Sequence, residues 1–197
     1  MNDESVSAHH QHAVQFYENE TSLFKTVSGF LGQGLVDGQP GILIATESHR
    51  GAILDHVKGR LVDVEQAQRT GDLLVFDAHT TLARFMVDGM PNPDAFEASV
   101  GMLIGEMLKG RPKHTMIRAY GEMVDVLWKD GNADGAIRLE MLWNKLAMKH
   151  GFALLCGYAM GNFYKETRRF EDVCRQHAHI VPPDLADVPS RPRYDSQ

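Results

Sequence analysis

Cysteine is scarce in this chain: Cys156 and Cys174 are the two in 197 residues. So few thiols exclude a disulfide-stapled secreted scaffold, and both are expected to be free. No apolar run is long enough to span a bilayer, which excludes a membrane helix. The opening, MNDESVSAHHQH, is polar and acidic and unlike a signal peptide, so the expected location is the cytoplasm. Positive charge is also in short supply. Twenty Lys and Arg stand against 26 Asp and Glu, for a net charge of -6, which argues against direct nucleic-acid binding. A phosphate-cradling loop is missing too. Such a loop needs glycines that free backbone amides between the first strand and its helix. Here that place holds Tyr17-Glu18-Asn19-Glu20-Thr21-Ser22-Leu23, with no glycine and two carboxylates. The Gly32-Gln33-Gly34 cluster is no substitute, because it falls toward the end of a helical pattern rather than at its start.

What is present is a globular chain, 43% hydrophobic and of single-domain length. Ala13–Tyr17, Gly41–Thr46, Asp72–Asp77, residues 114–120 and Phe152–Tyr158 read as strands. Several are continuous apolar runs, as expected of strands buried on both faces. Between them lie helical patterns: Leu23, Val27, Phe30 and Leu31, capped by Thr21 or Ser22 and ended by Gly32, Gly34 and Gly38; Ser48–Gly59; a region with Leu82, Phe85 and Met86; Phe96–Met107; about 122–128; and 136–149 with Leu139, Leu142, Trp143 and Leu146 inward. A last helix, about 162–178, gathers Phe163, Phe170, Val173, Cys174 and His177. Residues 1–11 read as a flexible lead, 12–182 as one domain, and 183–197 as a loose tail. Alternating strand and helix predicts an α/β fold: three layers, a mainly parallel sheet with helices on both faces.

Such sheets bind ligands at the carboxyl ends of their strands. The candidates there are Tyr17, Glu47, Arg118, Tyr120, Glu122 and Tyr158, with His12 before the first strand. Glu122 either enters a pocket or caps the next helix. Arg118 either clamps an anion or pairs with Glu47 or Glu122. The three tyrosines either line a pocket or pack against helices. His12 either binds a ligand or metal or caps locally. Cys156 reads as a small buried apolar residue rather than a nucleophile. Cys174, His177 and His179 have a spacing that weakly suggests metal. Met90, Met102, Met107, Met141 and Met148 read as core filler.

Five segments, in order, resemble the DcmR-type sensory (MEDS) family: His12–Tyr17, Arg118–Val124, Arg138–Leu146, Leu154–Tyr158, and Cys174–His177 with Val181-Pro182. The resemblance covers about 12–182. It implies a RecA-like domain that lacks the Walker A loop, and a sensory role in prokaryotic signalling. Family members are thought to detect small organic molecules, such as simple hydrocarbon derivatives, and to pass the signal to an output module. No output module is visible here. The expectation is therefore a non-enzymatic sensor, with no cofactor or metal, that binds a small organic ligand and relays to a separate kinase or transcription regulator. Self-association as a homodimer fits a RecA-like scaffold. The rival is a ligand-free interaction module acting on a kinase, anti-sigma factor or transcription regulator. A nucleotide-binding or hydrolytic enzyme ranks third, because no nucleophile elbow or metalloprotease motif is present.

Overall fold

The computed structural model describes residues 12–163 and 167–181. The expected lead, the tail and Pro182 lie outside them. Six strands form one sheet: β1 (His12–Tyr17), β2 (Gly41–Ala45), β3 (Leu73–Asp77), β6 (Arg118–Gly121), β7 (Ala153–Ala159) and β8 (His179–Val181). A separate hairpin pairs β4 (Met86–Val87) with β5 (Met90–Pro91). The main sheet runs β3-β2-β6-β7-β1-β8, and every pairing in it is parallel.

Parallel neighbours require crossovers, and right-handed crossovers decide which face each helix covers. The chain moves one way along the sheet from β1 to β2 to β3. Its connecting helices, α1 (Glu20–Val36), α2 (Glu47–Lys58) and α3 (Val64–Thr70), cover one face. It then runs back through β6 and β7 to β8. The helices of that return cover the other face: α4 (Ala78–Ala83), α5 (Pro93–Phe96), α6 (Met102–Leu108), α7 (Met123–Lys129), α8 (Ala133–His150) and α9 (Thr167–Gln176). Side chains alternate across each strand. Leu43, Tyr120 and Leu155 therefore join the first core, while Ile42, Ile44, Ala119, Leu154 and Cys156 join the second. The three-layer α/β expectation holds.

Several boundaries differ from the sequence reading. Asn19, not Thr21 or Ser22, caps α1 by accepting from the Ser22 amide. Helix α1 does not end at Gly32 or Gly34, which lie inside it. A Cβ on Gly34 would lie 2.6 Å from Arg118 Cδ, so glycine there makes room for the arginine stem. Met86 leaves the helical pattern for the β4–β5 hairpin, whose turn residues Asp88 and Gly89 both have positive φ (50° and 77°). An Asp-Gly pair is a strong signal for such a two-residue turn. The helix expected over 96–107 is α5 and α6 joined by a π-helical turn, Glu97–Gly101. Met107 is buried, but Met90, Met102, Met141 and Met148 are exposed and do not fill the core.

Gly157 in β7 faces the α1 side, where a Cβ would lie 2.6 Å from Tyr120 Oη and 3.2 Å from Leu23 Cδ1. Both neighbours are fully buried. Gly157→Ala is expected to cost about 1–3 kcal/mol by overpacking. Urea denaturation checks this, and an unchanged midpoint would mean that Tyr120 yields freely.

Candidate functional site

Two polar clusters lie inside the sheet layer, one on each face. The first sits at the carboxyl ends of β2 and β6, where the chain leaves β2 toward one face and β6 toward the other. Such a reversal opens a crevice in parallel sheets. Glu122 fills it and is 2% exposed. It does not cap its own helix α7 by side chain. Instead its carboxylate reaches across the crevice to accept from the Thr46 backbone amide, the N-cap of α2. It also accepts from His49 Nδ1 at 2.7 Å and from Tyr120 Oη at 3.2 Å. His49 Nε2 faces Glu20 Oε1 at 3.4 Å. Both imidazole nitrogens thus meet carboxylate oxygens, the arrangement of a charged imidazolium.

Beside it, Asp125 ties β1 and β7 together. It accepts from the Ala159 amide at 3.0 Å, from Asn162 Nδ2 at 2.7 Å and from Tyr17 Oη at 3.4 Å. Lys129 pairs with it at 2.8 Å. The amino ends of α1 and α2, where a phosphate would be drawn by the helix field, are therefore met by the protein's own carboxylates, Glu20 and Glu122.

The second cluster lies on the α8 face. Glu140 of α8, which is 0% exposed, accepts from Tyr158 Oη at 2.8 Å. His12, Cys156 and His177 surround the same carboxylate.

The structure thus brings Tyr17, Tyr120 and Glu122 together, as the sequence suggested, and adds His49 and Asp125. It sets Glu47 at the exposed start of α2, close by in sequence to Thr46 and His49. It does not bring Arg118, Tyr158 or His12 there. Strand β6 begins at Arg118, which pairs with the first residues of β2 and β7, Gly41 and Ala153. Four residues of strand put Arg118 about 13 Å from Glu122. Its guanidinium donates to Gln39 and the Phe30 carbonyl and approaches Asp37, rather than Glu47 or Glu122. Tyr158 and His12 point to the opposite face by strand alternation and join the Glu140 cluster. Of the Cys174, His177 and His179 set, only His177 reaches a cluster, and His179 lies exposed in β8.

His49 and Glu140 were legible as polar positions on buried helix faces. His49 lies four residues before Ile53, and Glu140 three before Trp143. A buried charge at such a place needs a partner.

The sequence model of a family described as "MEthanogen/methylotroph, DcmR Sensory domain" (MEDS) matches residues 11–178. The chain belongs to the MEDS family. No curated protein matches it. In this MEDS domain, no helix among the described residues is long and apolar enough to cross a membrane.

The first MEDS cluster is electrostatically coupled. The Glu122 hydrogen bond, opposed by burial, lifts His49 above its ordinary value of 6.5. Burial pushes Glu122 up, but the His49 bond and charge and the Thr46 donors outweigh it and hold Glu122 below its ordinary 4.5. Burial and neighbouring carboxylates push Tyr17 and Tyr120 up, so both stay protonated as donors. The signs define a window. A raised His49 stabilises fully below 6.5 and loses that share as pH climbs through its raised value. A lowered Glu122 stabilises above 4.5 and loses its share as pH falls through its lowered value. Glu122→Gln is expected to lower the His49 titration midpoint, followed by NMR of the imidazole protons. A midpoint that stays put would show that the two are not paired.

Proposed function

We propose that this MEDS domain is a signal-transduction sensor that takes a small organic ligand at the carboxyl ends of β2, β6, β7 and β1. The ligand would sit among Tyr17, His49, Tyr120 and Glu122, with Glu47 at the rim. The observation that carries this reading is Glu122 itself. It is a buried carboxylate that spans the crevice as an internal ligand, holding three donors ready for another acceptor. An entering oxygen would take the Thr46 and His49 donors and release Glu122. Because Glu122 starts α7 and Thr46 caps α2, the exchange would shift helices on opposite faces of the sheet. A separate kinase or transcription regulator would read that shift.

One feature favours the rival interaction module: the cluster is filled by the chain's own side chains. Surface cavities of about 440 and 590 Å³ lie elsewhere, the first beside Glu97 and Lys149, the second beside Leu35, Leu61 and Asp72.

A thermal-shift screen against small alcohols, haloalkanes and organic acids separates the two. Binding to the folded state alone raises the melting temperature. A shift that disappears in His49→Ala and Tyr120→Phe but survives in Arg118→Lys supports the sensor. No shift from any compound, or one lost equally in Arg118→Lys, favours the interaction module.

A further inference from the structure

On the α8 face, His12 of β1, Glu140 of α8, Cys156 of β7 and His177 at the exit of α9 converge. Each offers one ligand atom, and the four atoms lie within 4.8 Å of one another. His12 Nε2 lies 3.3 Å from Cys156 Sγ and 3.3 Å from Glu140 Oε2. Cys156 Sγ is 3.6 Å from that oxygen, and His177 Nε2 is 3.4 Å from Glu140 Oε1. Ligand bonds of about 2.0 to 2.3 Å place the corners of a tetrahedral zinc site about 3.3 to 3.8 Å apart. His12 Nε2, Cys156 Sγ and Glu140 Oε2 already have that spacing, and His177 Nε2 completes a set within 4.8 Å that must draw in slightly on binding.

The outer contacts orient the inner ones. Asn144 donates its amide to the Gln176 carbonyl at 3.0 Å, which leaves Asn144 Oδ1 as an acceptor. His12 Nδ1 must then donate to it, at 2.8 Å. His177 Nδ1 donates to the Val173 carbonyl, also at 2.8 Å. Each imidazole thus spends a proton outward and turns Nε2 inward. Outer acceptors of this kind orient metal-binding histidines and raise their basicity. Tyr158 likewise donates to Glu140, at Oε1, which leaves Oε2 toward His12 and Cys156. His177 Nε2, on a side chain that is 0% exposed, faces Glu140 Oε1 at 3.4 Å without a well-formed hydrogen bond to it.

We propose that these four side chains hold a divalent transition-metal ion of the zinc class. Two imidazoles, a thiolate and a carboxylate suit such an ion, whereas calcium and magnesium prefer oxygen donors. On binding, Cys156 gives its thiol proton to solvent and forms the metal–sulfur bond. Thiolate and carboxylate then supply two negative charges against the ion's two positive ones, which leaves this buried core neutral. Four protein ligands close the coordination sphere, as in structural sites. The proposal does not depend on the ligand reading at the strand ends.

The protein is purified without chelator and its metal content measured, then stripped and titrated with Zn²⁺ and with Co²⁺. The expected result is one ion per chain, a raised melting temperature, and with Co²⁺ a thiolate-to-cobalt charge-transfer band. Cys156→Ser should remove the band and Cys174→Ser should leave it. His12→Ala should weaken uptake at least tenfold. If stripping unfolds the chain, refolding on Zn²⁺ supports the site equally. Should His12→Ala fail to fold, Cys156→Ser, which exchanges a single heavy atom, still decides through the band. The proposal is overturned if the folded, stripped protein takes up neither ion, or if the band is unchanged in Cys156→Ser.

Discussion

Glu122→Ala is expected to destabilise the fold by about 3–5 kcal/mol near pH 6, because removing one partner of a buried pair strands the other. His49 would be left buried with a positive charge, and the Thr46 amide and Tyr120 hydroxyl would lose their acceptor. His49 can escape part of the cost by losing its proton, so the deficit should shrink above pH 7. Glu122→Gln keeps an acceptor oxygen for Thr46 and should cost less, about 1–3 kcal/mol. Urea denaturation of both variants at pH 6 and pH 8, with His49→Ala and the double variant, gives the coupling between the two residues. Equal small losses at both pH values, with no coupling, would mean that Glu122 merely fills space, and the exchange mechanism would fall with it.

Trp143→Ala should cost a similar amount, about 3–5 kcal/mol, for a different reason. Trp143 is one of the largest fully buried side chains. It meets Phe96 edge-on at 5.2 Å and Phe152 at 6.0 Å, which fixes α8 to the helical run before β6 and to the start of β7. Its indole N–H has no hydrogen-bond partner. Trp143→Phe therefore gives up ring area but also removes an unsatisfied donor, and should cost under about 1.5 kcal/mol. A Phe variant as damaged as the Ala variant would show that the indole N–H is satisfied after all. Because packing carries no charge, neither loss should depend on pH, unlike that at Glu122.

The strands β2, β3 and β7 were legible because runs such as Gly41–Ala45 are apolar on both faces, and a helix of that length would be too short to persist. The site was only half legible, for a reason of geometry. The sequence places Tyr17, Arg118, Tyr120 and Tyr158 near strand ends, but not which end or which face. Starting β6 at Arg118 rather than at 114 moves the arginine from the carboxyl to the amino edge. The two-residue period of a strand separates Tyr158 from Tyr120 across the sheet. His49 and Glu140 carried a readable signal, a charge on a buried helix face, but their partners come from elements far away in sequence. Which acid meets which histidine follows from strand order, and strand order has no local signature.

Among the described strands, the first lies between the last two, β7 and β8. His12 and Cys156 touch across a sequence separation of 144 residues. At about 5–20 residues per second, a ribosome needs on the order of ten seconds to deliver the second after the first. During that interval β1 has an apolar face and two open edges with no neighbour yet made. Long-range parallel pairing is also slow to form by itself. The sheet therefore closes last at the strand that is born first. Wherever this domain is synthesised, Val14 and Phe16 must be kept from pairing with another chain until their partners Cys156 and Tyr158 have emerged.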